Sequence, residues 1–227
     1  MHYFFAFAAG SLLLATTAQA QAGLRLGSTL THLAVAHAPA RYLTADNSAR
    51  LGYQVGVFYR VPLGKRLSLV PEVQFSRERV RLTTRDNAFV IPEYYGRTDS
   101  RLAMSYLAVP VLLRATFGPV YVEAGPQANV LLGGRELGTY TISILDGSPI
   151  SSTDIDRPLP DNLRRFDLGP CVGVGVQLPA GLGLSVRAYQ GLVSLMPGDD
   201  PAQPYPYQSG VRRQILQAAL TYQLAAR

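Results

Sequence analysis

The chain has 227 residues, 21 Lys+Arg against 15 Asp+Glu for a formal charge of +6, one cysteine, no tryptophan, 13 tyrosines, 21 glycines and 16 prolines. A single cysteine excludes an intrachain disulfide scaffold, and 48% hydrophobic against 16% charged residues excludes a disordered tail. Low charge with abundant Gly and Tyr fits an all-β chain better than a helical one, in which Ala, Leu, Glu and Lys would dominate.

Residues 1–20 read as a secretory signal peptide. An apolar run from Tyr3 to Ala9 and from Leu12 to Ala15 ends on Ala18-Gln19-Ala20, small residues at both positions that a signal peptidase reads. The run is shorter than the ~20 residues of a spanning helix, which disfavours a membrane anchor. Residues 21–227 are then expected to form one β-barrel domain.

After residue 22 no stretch is apolar for long enough to be a spanning helix, and the dominant signal is a period of two. Leu51, Tyr53, Val55, Val57, Tyr59 and Val61 alternate with Gly52, Gln54, Gly56, Phe58 and Arg60. The same rhythm runs through Leu182, Leu184, Val186 and Ala188, and through Leu216, Ala218, Leu220, Tyr222 and Leu224. Alternation over about ten residues marks a strand between two different environments. In chain order it predicts eight strands, near 23–34, 51–62, 67–83, 101–117, 119–132, 165–178, 181–193 and 211–224.

The connections alternate between short and long. Pro62-Leu63-Gly64-Lys65-Arg66, Gly118-Pro119 and Pro179-Ala180 are tight turns, whereas 35–50, 84–100, 133–164 and 194–210 are long. Both termini fall on the short-turn side. This is the plan of an eight-stranded antiparallel up-and-down transmembrane β-barrel with short periplasmic turns and long extracellular loops. A soluble, lipocalin-like barrel would reverse which face points inward. The membrane sense is expected because the polar phase is Gly, Ser, Gln, Tyr and isolated charges, and the apolar phase carries almost no ionisable group in mid-strand. Location in the bacterial outer membrane, after signal-peptide cleavage, follows.

Leu69-Val70-Pro71-Glu72-Val73-Gln74-Phe75-Ser76, Tyr106-Leu107-Ala108-Val109-Pro110-Val111-Leu112-Leu113-Arg114 and Val120-Tyr121-Val122-Glu123-Ala124-Gly125-Pro126-Gln127 resemble the PorT-like outer-membrane β-barrel family of Bacteroidetes. In that family the residue before the Val/Ile-Pro pair is usually Glu, where Ala108 stands here. The resemblance spans the mature chain and implies an eight-stranded outer-membrane barrel with no assigned enzymatic activity, and a link to protein secretion through the founding member.

Inward-facing residues can be read from phase. Pairing across the Gly118-Pro119 turn sets Arg114 opposite Glu123 and Thr116 opposite Tyr121. Arg25, Arg60, Glu72, Asp167 and Arg187 share the polar phase of their strands and are expected to extend that pair into a lumen network. Eight strands leave an interior just wide enough for side chains, so a packed polar core is favoured over a small pore.

All the basic residues except Lys65 are arginines. Arg77, Arg79, Arg81, Arg101, Arg164, Arg165, Arg212 and Arg213 lie where strands meet long loops, which fits equally a rim that grips lipopolysaccharide phosphates through two-pronged guanidinium contacts and an ordinary solvated extension of the barrel. Outer-membrane lipid, lipopolysaccharide and an envelope protein are the expected partners; nucleic acid is not, since no basic helix or aromatic platform accompanies the charge.

Signals for catalysis are weak. His32, His37, Asp46 and Ser48 near the first long loop offer a lipid-modifying enzyme as an alternative, without any spacing that demands it. The acidic pairs Asp154/Asp156 and Asp199/Asp200 lack the oxygen ligands at fixed spacing of a Ca²⁺ site, and Cys171 reads as a small core filler. No catalytic, metal or cofactor residue is assigned. Loop 133–164 alternates at Thr139-Tyr140-Thr141-Ile142-Ser143-Ile144-Leu145, which predicts a hairpin projecting beyond the membrane. Loop 194–210, rich in Pro and Tyr, suits protein recognition. The reading is a non-enzymatic scaffold that presents loops or joins an envelope complex.

Overall fold

The computed structural model describes residues 21–35, 43–86, 94–144, 146–160, 163–195 and 211–224. They form nine strands, β1 (Gln21–Val35), β2 (Leu43–Pro62), β3 (Leu67–Asp86), β4 (Tyr94–Phe117), β5 (Val120–Ile144), β6 (Pro149–Pro158), β7 (Phe166–Gln177), β8 (Leu182–Gln190) and β9 (Val211–Gln223). All but β6 close into an eight-stranded ring in which each strand pairs antiparallel with its neighbours, β1 meeting β9 at the seam. The predicted signal peptide, His37 and most of loop 194–210 lie outside the described residues.

Burial alternates residue by residue, and its sense is that of a membrane barrel. On the outside, Leu26 is 63% exposed, Val57 54% and Leu220 47%, whereas Arg25, Gln54 and Arg187 inside are each 1% exposed. A row of exposed Leu and Val around a polar interior satisfies a lipid surround, in which every backbone group of the closed ring is hydrogen-bonded by a neighbouring strand. Tyr59, Phe117 and Tyr222 ring the short-turn edge of this band, and Tyr53, Phe75 and Phe166 mark the opposite edge, with the Tyr53 and Phe75 rings 6.3 Å apart.

Tight turns fix the register. Leu63 and Gly64 N–H groups donate to the Leu67 carbonyl at 2.8 and 3.1 Å. Gly118 takes φ +62° in the β4–β5 turn, a left-handed conformation that costs glycine nothing.

The strands on one side run further than the alternation predicts. Residues 43–50, 84–86, 94–100, 133–144 and 149–158, expected in loops, are strand: Leu43 pairs with Asp86, Asp86 with Gly96 and Tyr94 with Ile144. Apart from residues 139–144, whose alternation marks the hairpin, these extensions are rich in Thr, Ser and Arg and carry no apolar period although their ladder continues. β7 begins only at Phe166, so the outer half of β5 loses it as a neighbour and pairs instead with β6, forming the projecting hairpin. The departure is marked by a register shift between Ser105 and Tyr106, opposite Gly133 at φ +155°. An extra residue held by glycine bends the strand there.

Candidate functional site

The lumen is filled by two charged layers. In the layer nearer the short turns, Arg187 on β8 reaches across the ring to Glu72 on β3, Nη1 donating to Oε2 at 2.8 Å and Nη2 to Oε1 at 2.5 Å. Its Nε donates to Oε1 of Glu123 on β5 at 2.6 Å. The other Glu123 oxygen accepts from Arg114 Nε and Nη2 at 3.0 and 2.8 Å, and Arg114 lies 4.0 Å over the Tyr121 ring. The pairings Arg114 with Glu123 and Thr116 with Tyr121 are those the turn predicts. Arg25 contributes a third cation, with Nε 3.6 Å from Glu72 and Nη2 donating to Ser185 Oγ at 2.6 Å. Three guanidiniums face two carboxylates, so this layer is one positive charge in excess.

The second layer inverts that balance. Arg213 on β9 donates from Nη2 to Glu78 Oε1 at 2.9 Å and from Nη1 to Asp167 Oδ2 at 3.3 Å, with its guanidinium 3.5 Å over Tyr106. The hydroxyls of Thr31 and Ser76 also donate to Glu78, at 3.1 and 3.3 Å. One arginine faces two carboxylates here, and the two layers together are neutral. Between them by register lie Leu112, buried and unpaired Cys171, Tyr189 and Ile215. Beyond the second layer, Leu33, Val80, Leu82, Leu102, Met104 and Leu131 pack with Leu163 and Leu195, which enter from outside the strands, into an apolar plug.

Three expectations are corrected by this geometry. Arg213 is not on the rim: on a strand, adjacent residues take opposite faces, so Arg212 points out and Arg213 into the lumen. Asp167 joins Arg213 rather than the Arg114 network, because it lies six residues up β7 from Gly173, the residue level with Arg187. Arg60 sits half-buried at the short-turn mouth, donating to Ser68 and Thr116 hydroxyls at 3.2 and 3.5 Å. Glu78, the main anchor of the second layer, was missed. Its phase with Glu72, Gln74 and Ser76 was the signal, obscured by the exposed arginines on either side.

Arg77, Arg79, Arg81, Arg101, Arg164, Arg165 and Arg212 are exposed or half-exposed at the level predicted for the rim. Arg77 Nη1 donates to Ser105 Oγ at 2.6 Å. Further out, the hydrogen bond from Arg97 Nε at 2.6 Å holds the Asp99 carboxyl below its ordinary range. On the hairpin Arg135 pairs with Asp156 at 2.6 Å and Arg157 with Glu136 at 2.9 Å, so Asp156 serves an ion pair. Among the described residues no three His, Cys, Asp or Glu side chains converge to hold a metal ion.

An eight-stranded ring with an apolar exterior and a closed, charge-balanced interior defines a transmembrane β-barrel. Residues 16–196 match the family model for the outer membrane protein beta-barrel domain, and the chain belongs to that family and to the bacterial outer membrane. Among solved structures it is similar to Ail, the attachment invasion locus protein of Yersinia pestis, at 9% identity over 91% of this chain and 99% of Ail, with a TM-score of 0.45. Neisserial surface protein A gives 12% identity over 89% and 97% of the two chains with a TM-score of 0.42. OprG of Pseudomonas aeruginosa gives 10% over 92% and 97%, with a TM-score of 0.38. No curated protein sequence matches the chain.

Proposed function

We propose that the protein is a non-enzymatic, non-conducting barrel that presents the β5–β6 hairpin outside the cell to a protein partner of the envelope. The observation that carries this reading is the asymmetry of the wall: β3, β4 and β5 continue beyond the apolar band while β7 and β8 stop, and among the described residues no strand pairs with the outer edge of β6. Such an edge offers a row of backbone donors and acceptors to an added strand. The lumen supports the same reading, since ion pairs cross the ring and an apolar plug lies beyond them. The PorT-like resemblance of residues 106–127 supports a partner within a secretion complex.

Photo-crosslinking in intact cells from Ile150 and Ile155, with the periplasmic turn at Gly64 as comparison, tests this reading. Discrete protein adducts from the hairpin are expected. Adducts to lipid alone, or none, would leave the barrel without a partner on that face.

A further inference from the structure

The outer wall of β2, β3 and β4 carries arginines directly opposite one another: Arg50 faces Arg79, Arg81 faces Arg101, and Arg85 faces Arg97. Directly opposed positions hold Cβ atoms roughly 5 Å apart, where like charges destabilise a sheet. Asp99 answers part of this charge, bonding Arg97 at 2.6 Å and standing 4.0 Å from Arg81. Among the described residues no carboxylate pairs with Arg50, Arg79 or Arg101. Arg81, Asp99, Arg101, Leu137 and Thr139 line a cleft of about 370 Å³ beside the second pair.

The height of this facet selects its ligand. Tyr53 and Phe75 close the apolar band on the same wall, and Tyr53 pairs with Arg77. Arg77 and Arg79 follow two and four residues beyond Phe75, roughly 7 and 13 Å along a tilted strand, which is the depth of lipid phosphates above the hydrocarbon. Below them Val73 and Leu107 offer an exposed apolar wall to acyl chains. We infer that the facet is a binding site for a bis-phosphorylated outer-leaflet glycolipid of the lipid A type, whose two phosphates bridge the opposed arginines. A phosphate between two guanidiniums accepts two-pronged hydrogen bonds from both and turns their repulsion into attraction. The inference requires only the barrel's place in the membrane, and stands apart from the partner reading of the hairpin.

The test titrates the whole refolded barrel in detergent micelles with lipid A, with fully dephosphorylated lipid A and with inorganic phosphate, reading thermal unfolding. Saturable stabilisation by lipid A alone is expected. Arg79→Gln with Arg101→Gln, which removes one member of each of two pairs, should bind lipid A about thirtyfold more weakly, at about fivefold per arginine, while melting no lower than wild type in lipid-free micelles. Lys65→Gln with Arg66→Gln removes the same charge from the periplasmic turn and should bind as wild type. If the glutamine variant fails to fold, Arg79→Lys with Arg101→Lys keeps the charge but loses the fork, and should weaken binding severalfold. Equal affinity of variant and wild type, equal response to dephosphorylated lipid, or saturation by inorganic phosphate at the same concentration would overturn the inference.

Discussion

Arg187 and Glu72 stand on strands half a ring apart, 115 positions apart in the chain, and close a two-pronged ion pair across the barrel. Both are buried, so removing one partner strands a charge that the lumen cannot solvate. Glu72→Gln is expected to lower stability by about 3–5 kcal/mol, read as the urea midpoint of unfolding in micelles. The double variant Glu72→Leu with Arg187→Met should be less damaged than the single, because it keeps the layer's excess at one positive charge where Glu72→Gln raises it to two. A double variant as damaged as the sum of its two singles would argue that Arg187 is held by Glu123 alone.

The lumen that this pair crosses should not conduct. Wild-type protein in planar bilayers is expected to be electrically silent, because the Leu33–Leu102–Leu131 plug lies in series with both charged layers. Discrete conductance steps would mean that Leu163 and Leu195, which enter from outside the strands, leave the mouth.

Tyr121 and Gly175 give a paired prediction. A Cβ at Gly175 would overlap the Tyr121 ring and come within 2.6 Å of the Leu184 carbonyl, so Gly175→Ala should cost about 1–3 kcal/mol through overpacking. The Tyr121 hydroxyl is buried and meets no hydrogen-bond partner among the described residues. Tyr121→Phe should therefore be neutral or slightly stabilising, with both effects measured by the same unfolding transition.

Asp99 gives the extracellular sheet a pH dependence. Its carboxyl is held low, first by the hydrogen bond from Arg97, so the stabilisation is fully present above the ordinary aspartate value of about 3.9 and is lost as pH falls through the lower folded value. Amide protection in residues 94–100 should stay level from neutral pH down to that range and fall below it. Asp99→Asn should remove the step.

Replacing residues 138–155 with a two-residue Asn-Gly turn, which joins the paired Leu137 and Asp156, should leave a heat-modifiable barrel of nearly unchanged melting temperature. Leu163 of the plug and Leu159, which packs against the plug, are retained, and the hairpin crosslinks should disappear. Failure of the shortened chain to insert would make the hairpin part of the folding unit.

The eight strands of the ring, the side of the short turns and the outward sense of Leu51, Val55 or Leu220 were legible in the sequence, because a lipid face and a polar lumen impose a period of two and keep the apolar phase free of ionisable groups in mid-strand. The Arg114–Glu123 pair was equally legible, since a two-residue turn at Gly118-Pro119 leaves one register. Phase says only that a residue points inward. It does not say what it meets there: Glu72 finding Arg187, Glu78 finding Arg213 and the separation of Asp167 from Arg114 depend on strand stagger around a closed ring, which fixes height as well as direction. The same holds outside, where Arg81 opposite Arg101 is a property of register between strands whose extensions carry no apolar pattern. Local alternation thus determined the barrel, the composition of its two phases determined its sense, and ring closure alone decided which charges became neighbours.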